Sequence, residues 1–353
     1  VPSEKLRRRW TWQWHEGVPK LLRRAITKRN LLVEVYTIEG IQTSTDTTPG
    51  AFINFGTTTI YKNSQINTLC ENLSLGLIKP GARVLFSDFS NVGILNLRYT
   101  SELLGIPIKI YAWAHAGVHD PQDWLGRKLG GQKWAYTTEK AIYEACDRVY
   151  FATHFYANMF KTCLLTESDD ISKIMVCSQP HEELKKDLTP YKGKPKKRRV
   201  VSPHRNSIEK QPAIFNDLAR NMPDIEFIAC QELDLSKEEY HIILAESLIV
   251  WSANLQETFG ISCAIEGPFL DCIPLIPNRL SYVEIFEGYD DFFYPTEWTE
   301  NWDAYTLHKD EIIAKIRYTI DHYDELLPQV EDYCVNRLLN YSEATDMVND
   351  FLD

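Results

Sequence analysis

A chain of 353 residues, 44% hydrophobic and 25% charged, has the composition of an ordinary globular protein and the length for about two domains, each with its own core. That excludes a peptide-sized or disulfide-stapled scaffold and a wholly disordered chain. With 38 Lys and Arg against 49 Asp and Glu the net charge is −11, so the surface as a whole is not phosphate-binding, although a local basic patch can still engage nucleic acid.

In chain order, residues 1–14 carry Arg7, Arg8 and Arg9 beside three tryptophans, where a secretory signal needs an apolar stretch. Residues 18–28 read as a helix, 31–38 as a strand and 83–87 as a second strand. A helix over 94–104 closes on Gly105 and Pro107. The strand 108–114 leads into a loop rich in Gly, Asp and Trp over 115–131, followed by a helix at 134–146, a strand at 148–153 and a helix at 154–164. Residues 184–199 hold two prolines and eight basic residues with little apolar periodicity, and read as an interdomain linker. Alternation restarts with strands at 200–202, 225–229, 247–252 and 273–276, interleaved with helices at 211–221, 236–245 and 260–269, before a long helical C-terminus.

This is an α/β pattern in two doubly wound halves, and a cleft between such halves, beyond the carboxyl ends of the strands, is the expected ligand site. The longest apolar region, 241–253, is broken by Glu246 and is too short to span a bilayer. The eight cysteines form no CxxC pair and no zinc-spaced cluster. A cytoplasmic protein without integral membrane association is expected; oligomeric state leaves no signal.

Chemistry concentrates in a few places. Phe259, Gly260 and Ile261 follow a strand and open a helix, so backbone N–H groups near Gly260 can receive a phosphate. Glu257 and Glu266 bracket that helix start, and ionised carboxylates suit hydroxyl-rich ligands; both can equally be solvated. Arg205 and Lys210 lie five positions apart just after a strand, where two cations can converge on a diphosphate. His115 ends the strand 108–114, with His119, Asp120, Asp123 and Trp124 in the loop beyond it. The His-x-x-x-His pair has no third ligand in view, so no metal site is expected. Gly17 precedes the first helix, Asp88 ends a strand, and His154 follows another; the last two can be helix caps.

The stretch 256–284 resembles the donor-binding signature of retaining GT-B glycosyltransferases, family 4-like. In that family a glutamate before Phe-Gly contacts the donor sugar and a second holds the nucleotide ribose. Eight residues separate Glu257 from Glu266 here, one more than the usual spacing, which implies an insertion or a different first carboxylate. Residues 271–275 and 278–284 resemble the turn, strand and loop that follow in the family, and Arg205 with Lys210 matches its arginine–lysine pair. The resemblance implies a GT-B fold, two Rossmann-like doubly wound domains facing a central cleft: an acceptor domain at 1–185, a donor domain at 186–335 and a C-terminal helix at 336–353 packing back on the first domain. It assigns catalysis to His115, Arg205, Lys210 and Glu257. Donor binding falls to Arg205, Lys210, Phe259, Gly260, Ile261 and Glu266, and acceptor binding to Gly17, Asp88, His119, Asp123 and Trp124. It implies no metal and no essential cofactor, and a nucleotide-sugar co-substrate, UDP-glucose or a relative.

For the acceptor, residues 115–134 look like glycosyltransferases of large tailed phages, which implies a hydroxymethylated DNA base such as 5-hydroxymethylcytosine, modified in the host cytoplasm. The basic runs at 7–9 and 194–199 and the aromatic residues of 10–14 and 115–134 fit DNA. Alternatives are a glycan or lipid-linked acceptor, a tRNA base, and a nucleotide-sugar-binding regulatory module without catalysis.

Overall fold

The computed structural model describes residues 1–6, 10–48, 51, 53–338 and 344–353, leaving Arg7, Arg8, Arg9 and the side chain of Trp10 outside the described residues. The chain divides into two compact units, Val1–His181 with Ala344–Asp353, and Glu182–Glu343.

The first unit holds a four-stranded parallel sheet in the order β1 (Arg83–Phe86), β2 (Lys109–Trp113), β3 (Arg148–Phe151), β4 (Ile174–Val176). Helices α1 (Trp10–Arg29), α2 (Phe55–Ser74), α3 (Gly93–Leu103), α4 (Trp124–Leu129), α5 (Lys133–Ala145) and α6 (His154–Leu164) accompany it. Side chains on β2 alternate between two apolar layers, as a strand buried on both faces requires. Ile110 and Ala112 join the core shared with Leu97 of α3, Ile142 of α5 and Phe160 of α6. Trp113 and Tyr111 are buried too, and they meet Trp14 of α1 at 4.8 Å and Phe351 of the C-terminal helix Thr345–Leu352 at 4.9 Å. Asp350 of that helix accepts from Arg148 and from the Tyr150 hydroxyl on β3.

Three expectations need correction in this description. Residues 31–38 form no strand: Leu32 is fully exposed and Tyr36 three-quarters exposed. The edge of β1 away from β2 is instead occupied by the N-terminal residues, with the Val1 amine on the Leu85 carbonyl and the Ser87 N–H on the Val1 carbonyl. The first helix starts at Trp10, so Gly17 lies buried within α1 and does not precede it. The basic stretch read as a linker is structured: α7 (Glu182–Leu188) buries Leu184 and Leu188, and β5 (Lys197–Ser202) follows.

The second unit holds a five-stranded parallel sheet, ordered β6 (Glu226–Ala229), β5, β7 (Ser247–Trp251), β8 (Ile273–Pro277), β9 (Phe293–Tyr294). Strand β5 is followed by a neighbour on one side, through α8 (Pro212–Asn221), and then by β7 on the other, through α9 (Lys237–Ala245). The crevice between β5 and β7 is therefore a topological switch point, where open α/β sheets bind ligands. All residues of β7 and β8 are buried, and the core joins Val200, Ile249 and Leu275 to Phe215, Leu218 and Ile316 from flanking helices. A capping box at Ser236 and Glu239 starts α9, and Gln211 in the left-handed region sets Pro212 at the start of α8. Among the described residues no helix is long and apolar enough to cross a membrane.

Candidate functional site

The carboxyl ends of β5 and β7 bring three sequence-predicted residues together, Arg205, Lys210 and Glu257. Beyond β5, the chain turns through His204 and Arg205 into a short turn, Ile208–Lys210, that buries Glu209 and Lys210. Arg205 is held by Glu209 through a short ion pair, with the Ser207 hydroxyl donating to the same carboxylate oxygen at 2.5 Å. Beyond β7, the Lys210 ammonium donates to the Gln256 carbonyl and stands 3.2 Å from Glu257 Oε2. The Asn254 amide donates to the same Glu257 oxygen at 3.1 Å and lies within 3.3 Å of the Tyr282 hydroxyl and of His204 Nδ1.

Gly260 has φ +80°, and a Cβ there falls 2.8 Å from the Tyr282 ring, so this turn admits only glycine without displacement. Its carbonyl receives the N–H groups of Cys263 and Ala264, opening the helical segment that follows. Phe259 is buried and Ile261 half-buried beside it.

Burial disfavours ionisation of Glu257, but the Lys210 charge and hydrogen bond, with His204 and Arg205 nearby, together outweigh it, and the carboxyl lies below its usual range. The same surroundings push the His204 imidazole down to about 3, through burial first and then the Lys210 charge, so His204 is a neutral ring. Glu266 is also buried, yet Lys237 at 2.8 Å, with bonds from Tyr240 and Ser262, holds its carboxyl well below the usual range.

The segment Ser262–Glu266 is a π-helical turn, with the Gly267 N–H bonded to the Ser262 carbonyl five residues back. Such a turn takes one residue more than an α-turn. It ends at Glu266, and the helix continues through Gly267–Phe269.

In the first unit, Asp88 and His115 stand beyond adjacent strands β1 and β2. Asp88 accepts from Lys62 at 2.8 Å and from Ser90, and its carboxyl is held down at about 2, burial being outweighed by Lys62 and His115. His115 donates Nε2–H to the Ser87 carbonyl at 2.8 Å, which fixes the tautomer with the lone pair on Nδ1. Burial lowers its pKa, and Asp88 and the Ser87 carbonyl offset part of that.

The loop residues beyond His115 divide. His119 is only 1% exposed, hydrogen-bonded through Nδ1 to Glu139 at 2.9 Å and edge-on to Tyr156 and Phe160, which makes it a core residue and not a surface contact for an acceptor. Asp123 is equally buried and caps α4 through the Leu125 N–H. Trp124 is half-buried, stacked on Phe55 at 4.2 Å with the Lys128 ammonium over its ring. His154 is exposed at the start of α6, whose cap is Thr153. Among the described residues no group of three or more His, Cys, Asp or Glu is placed to hold a metal ion.

Four cations of the basic run, Lys196 to Arg199, have partners within the second unit. Lys197 and Arg199 pair with Glu246, Arg199 also with Glu226, and Arg198 with Asp321, while Lys196 donates to the carbonyls of Ser247 and Leu270.

Residues that sequence reasoning missed are Lys62, His204, Glu209, Asn254 and Tyr282. Glu209 alone had a local signal, lying between Arg205 and Lys210 at helical spacing from the arginine.

The chain is similar to solved structures of proteins bound to nucleotides and sugars. HepE of Anabaena, in complex with UDP and glucose, has a TM-score of 0.56 at 11% identity over 94% of this chain and 87% of its own. The pneumococcal O-GlcNAc transferase GtfA, in complex with UDP and GlcNAc, has a TM-score of 0.53 at 11% identity over 83% of this chain; the chain spans 61% of GtfA's length. The catalytic domain of starch synthase IV from Arabidopsis thaliana, bound to ADP and acarbose, has a TM-score of 0.51 at 12% identity, covering 83% of this chain and 77% of its own. The likeness shows the fold, two Rossmann-like α/β units of the GT-B type. No protein-family model matches the chain, and no curated protein matches it in sequence.

Proposed function

We propose that the protein is a glycosyltransferase that moves a sugar from a nucleotide-sugar, UDP-linked, to a hydroxyl acceptor with retention of configuration. The observation that carries this reading is the convergence of Arg205, Lys210 and Glu257 at the switch point between β5 and β7. In the reaction the bond from the anomeric carbon to the β-phosphate oxygen breaks. The acceptor oxygen bonds that carbon on the face the phosphate leaves, and the hydroxyl proton passes to the departing diphosphate. Arg205 and Lys210 stabilise the charge that builds on the phosphate, Glu257 accepts hydrogen bonds from sugar hydroxyls, and Glu266 from the ribose. No step requires a metal ion.

The acceptor we propose is a hydroxymethylated base in DNA, of the kind bacteriophages make, modified in the cytoplasm, where the eight free cysteines stay reduced. Its support is the Trp124–Phe55 stack beside Lys128, an aromatic face on which a flipped base can lie. His115 and Asp88 take the acceptor side of the chemistry, with the His115 Nδ1 lone pair as a hydrogen-bond acceptor.

Incubation with UDP-glucose and DNA containing 5-hydroxymethylcytosine, then digestion to nucleosides and mass spectrometry, is expected to show a hexose adduct that Arg205→Ala and Lys210→Ala abolish. Transfer to a glycan or tRNA instead replaces the acceptor and leaves the donor site standing. If neither transfer nor hydrolysis of any UDP-sugar occurs, the enzyme reading falls.

A further inference from the structure

Three cations around the switch-point site are each paired with a carboxylate of the same unit: Arg205 with Glu209, Lys210 with Glu257 and Lys237 with Glu266. The middle pair differs from the others. Both of its members are required elsewhere in the proposed reaction, the ammonium on the diphosphate and the carboxylate on the sugar hydroxyls. It is also the most enclosed at its cationic end, with the Lys210 side chain 6% exposed against 20% for Arg205 and 40% for Lys237. Lys210 is tethered further by the Gln256 carbonyl, and Glu257 by the Asn254 amide.

We infer that the Lys210–Glu257 pair is a latch that makes the site select an intact nucleotide-sugar over the free nucleoside diphosphate. The inference rests on the donor reading above. A diphosphate that draws Lys210 to itself leaves the Glu257 carboxylate, 17% exposed, without its counter-charge, and breaking a pair with one member enclosed is costly because it strands the other charge. A sugar attached to the diphosphate donates hydroxyl hydrogens to Glu257 and compensates that loss. The free diphosphate brings no such donors. Coupling of this kind is reciprocal, so sugar bound at Glu257 also loosens Lys210 for the phosphates. After transfer, the nucleoside diphosphate left behind competes with Glu257 for the same lysine, and its release is favoured.

The test is calorimetric titration of the full chain with UDP and with UDP-glucose, UDP-galactose and UDP-N-acetylglucosamine, for the wild type and Glu257→Gln. The wild type is expected to bind its best UDP-sugar at least about tenfold more tightly than UDP. Glu257→Gln, which keeps the shape and removes the charge, is expected to bind UDP about tenfold more tightly than the wild type while the preference for the sugar nucleotide collapses. Equal wild-type affinity for UDP and every UDP-sugar overturns the latch, and this comparison stands even where the variant does not fold. A folded Glu257→Gln with unchanged or weaker UDP binding overturns it as well, leaving the donor site in place. If neither UDP nor any UDP-sugar binds the wild type, the donor reading itself fails and the latch with it.

Discussion

Gly260 joins the site to the backbone that makes it. At φ +80° alanine bears a left-handed penalty of about 1–2 kcal/mol, and its Cβ meets Tyr282, which is 0% exposed and has nowhere to swing, and Cγ of Glu257 at 3.1 Å. Gly260→Ala is expected to lower stability by about 2–4 kcal/mol in urea unfolding, and to weaken UDP-sugar binding even at temperatures where the variant is folded. Unchanged binding by the folded variant would remove Tyr282 and Glu257 from the site. Leu32 gives the opposite case. Its side chain is fully exposed, so Leu32→Ser is expected to change stability by no more than about 0.5 kcal/mol. A loss of about 2 kcal/mol or more would restore 31–38 as a strand with Leu32 in a core.

Among the elements, the C-terminal helix Thr345–Leu352 joins the first unit through Asp350 and through bonds from Arg29 and Arg83. Asp350 receives two nitrogens of Arg148, at 3.0 and 2.8 Å, and the Tyr150 hydroxyl at 2.8 Å, with its side chain 18% exposed. Asp350→Ala leaves a guanidinium and a phenol beside each other without their acceptor, and is expected to cost about 2–3 kcal/mol. A double-mutant cycle with Arg148→Ala measures the coupling; additive effects would mean that the helix is held by its other contacts, the Phe351 packing and the bonds from Arg29 and Arg83. The same contacts show what a sequence can carry. The strands β1 to β3 and β5 to β8, and the set Arg205, Lys210, Glu257 and Gly260, are readable because their signals are local: short apolar runs, a five-residue spacing and a glycine between strand and helix; β4, three residues long and half-buried, carries no such run. Asn254 and Tyr282 are not readable, because what makes them matter is contact with residues 28 to 50 positions away. Residues 31–38 show the limit of periodicity, which tells which side chains share a face and not whether a neighbouring strand edge is open. The 184–199 stretch was misread for its charge, although Leu184 and Leu188, four apart and both buried, carried the helix signal.

For the whole molecule, the net charge of −11 says little about acid stability, because a few buried groups decide it and they sit in different units. In the second unit His204 takes up a proton only at about 3, against 6.5 for an ordinary imidazole. Between those values the unfolded chain binds more protons than the folded one, so stability falls as pH falls, by about 1.4 kcal/mol per unit below 6.5. In the first unit His115 is shifted in the same direction, but there Asp88 and the Ser87 carbonyl offset the burial, whereas at His204 the Lys210 charge adds to it. Asp88 itself, held at about 2, contributes stability above the ordinary carboxylate range that is lost only as pH falls from about 4 to about 2. His204 is therefore expected to weaken the second unit below pH 6.5. Hydrogen exchange followed by mass spectrometry, corrected for intrinsic rates, is expected to show less protection near pH 5 than at pH 7 in peptides covering β5 and β7. His204→Gln is expected to remove about 2 kcal/mol of that loss at pH 5. Protection of β5 and β7 that is the same at pH 5 as at pH 7, or that is lost equally in His204→Gln, would show that His204 does not govern the acid response of its unit.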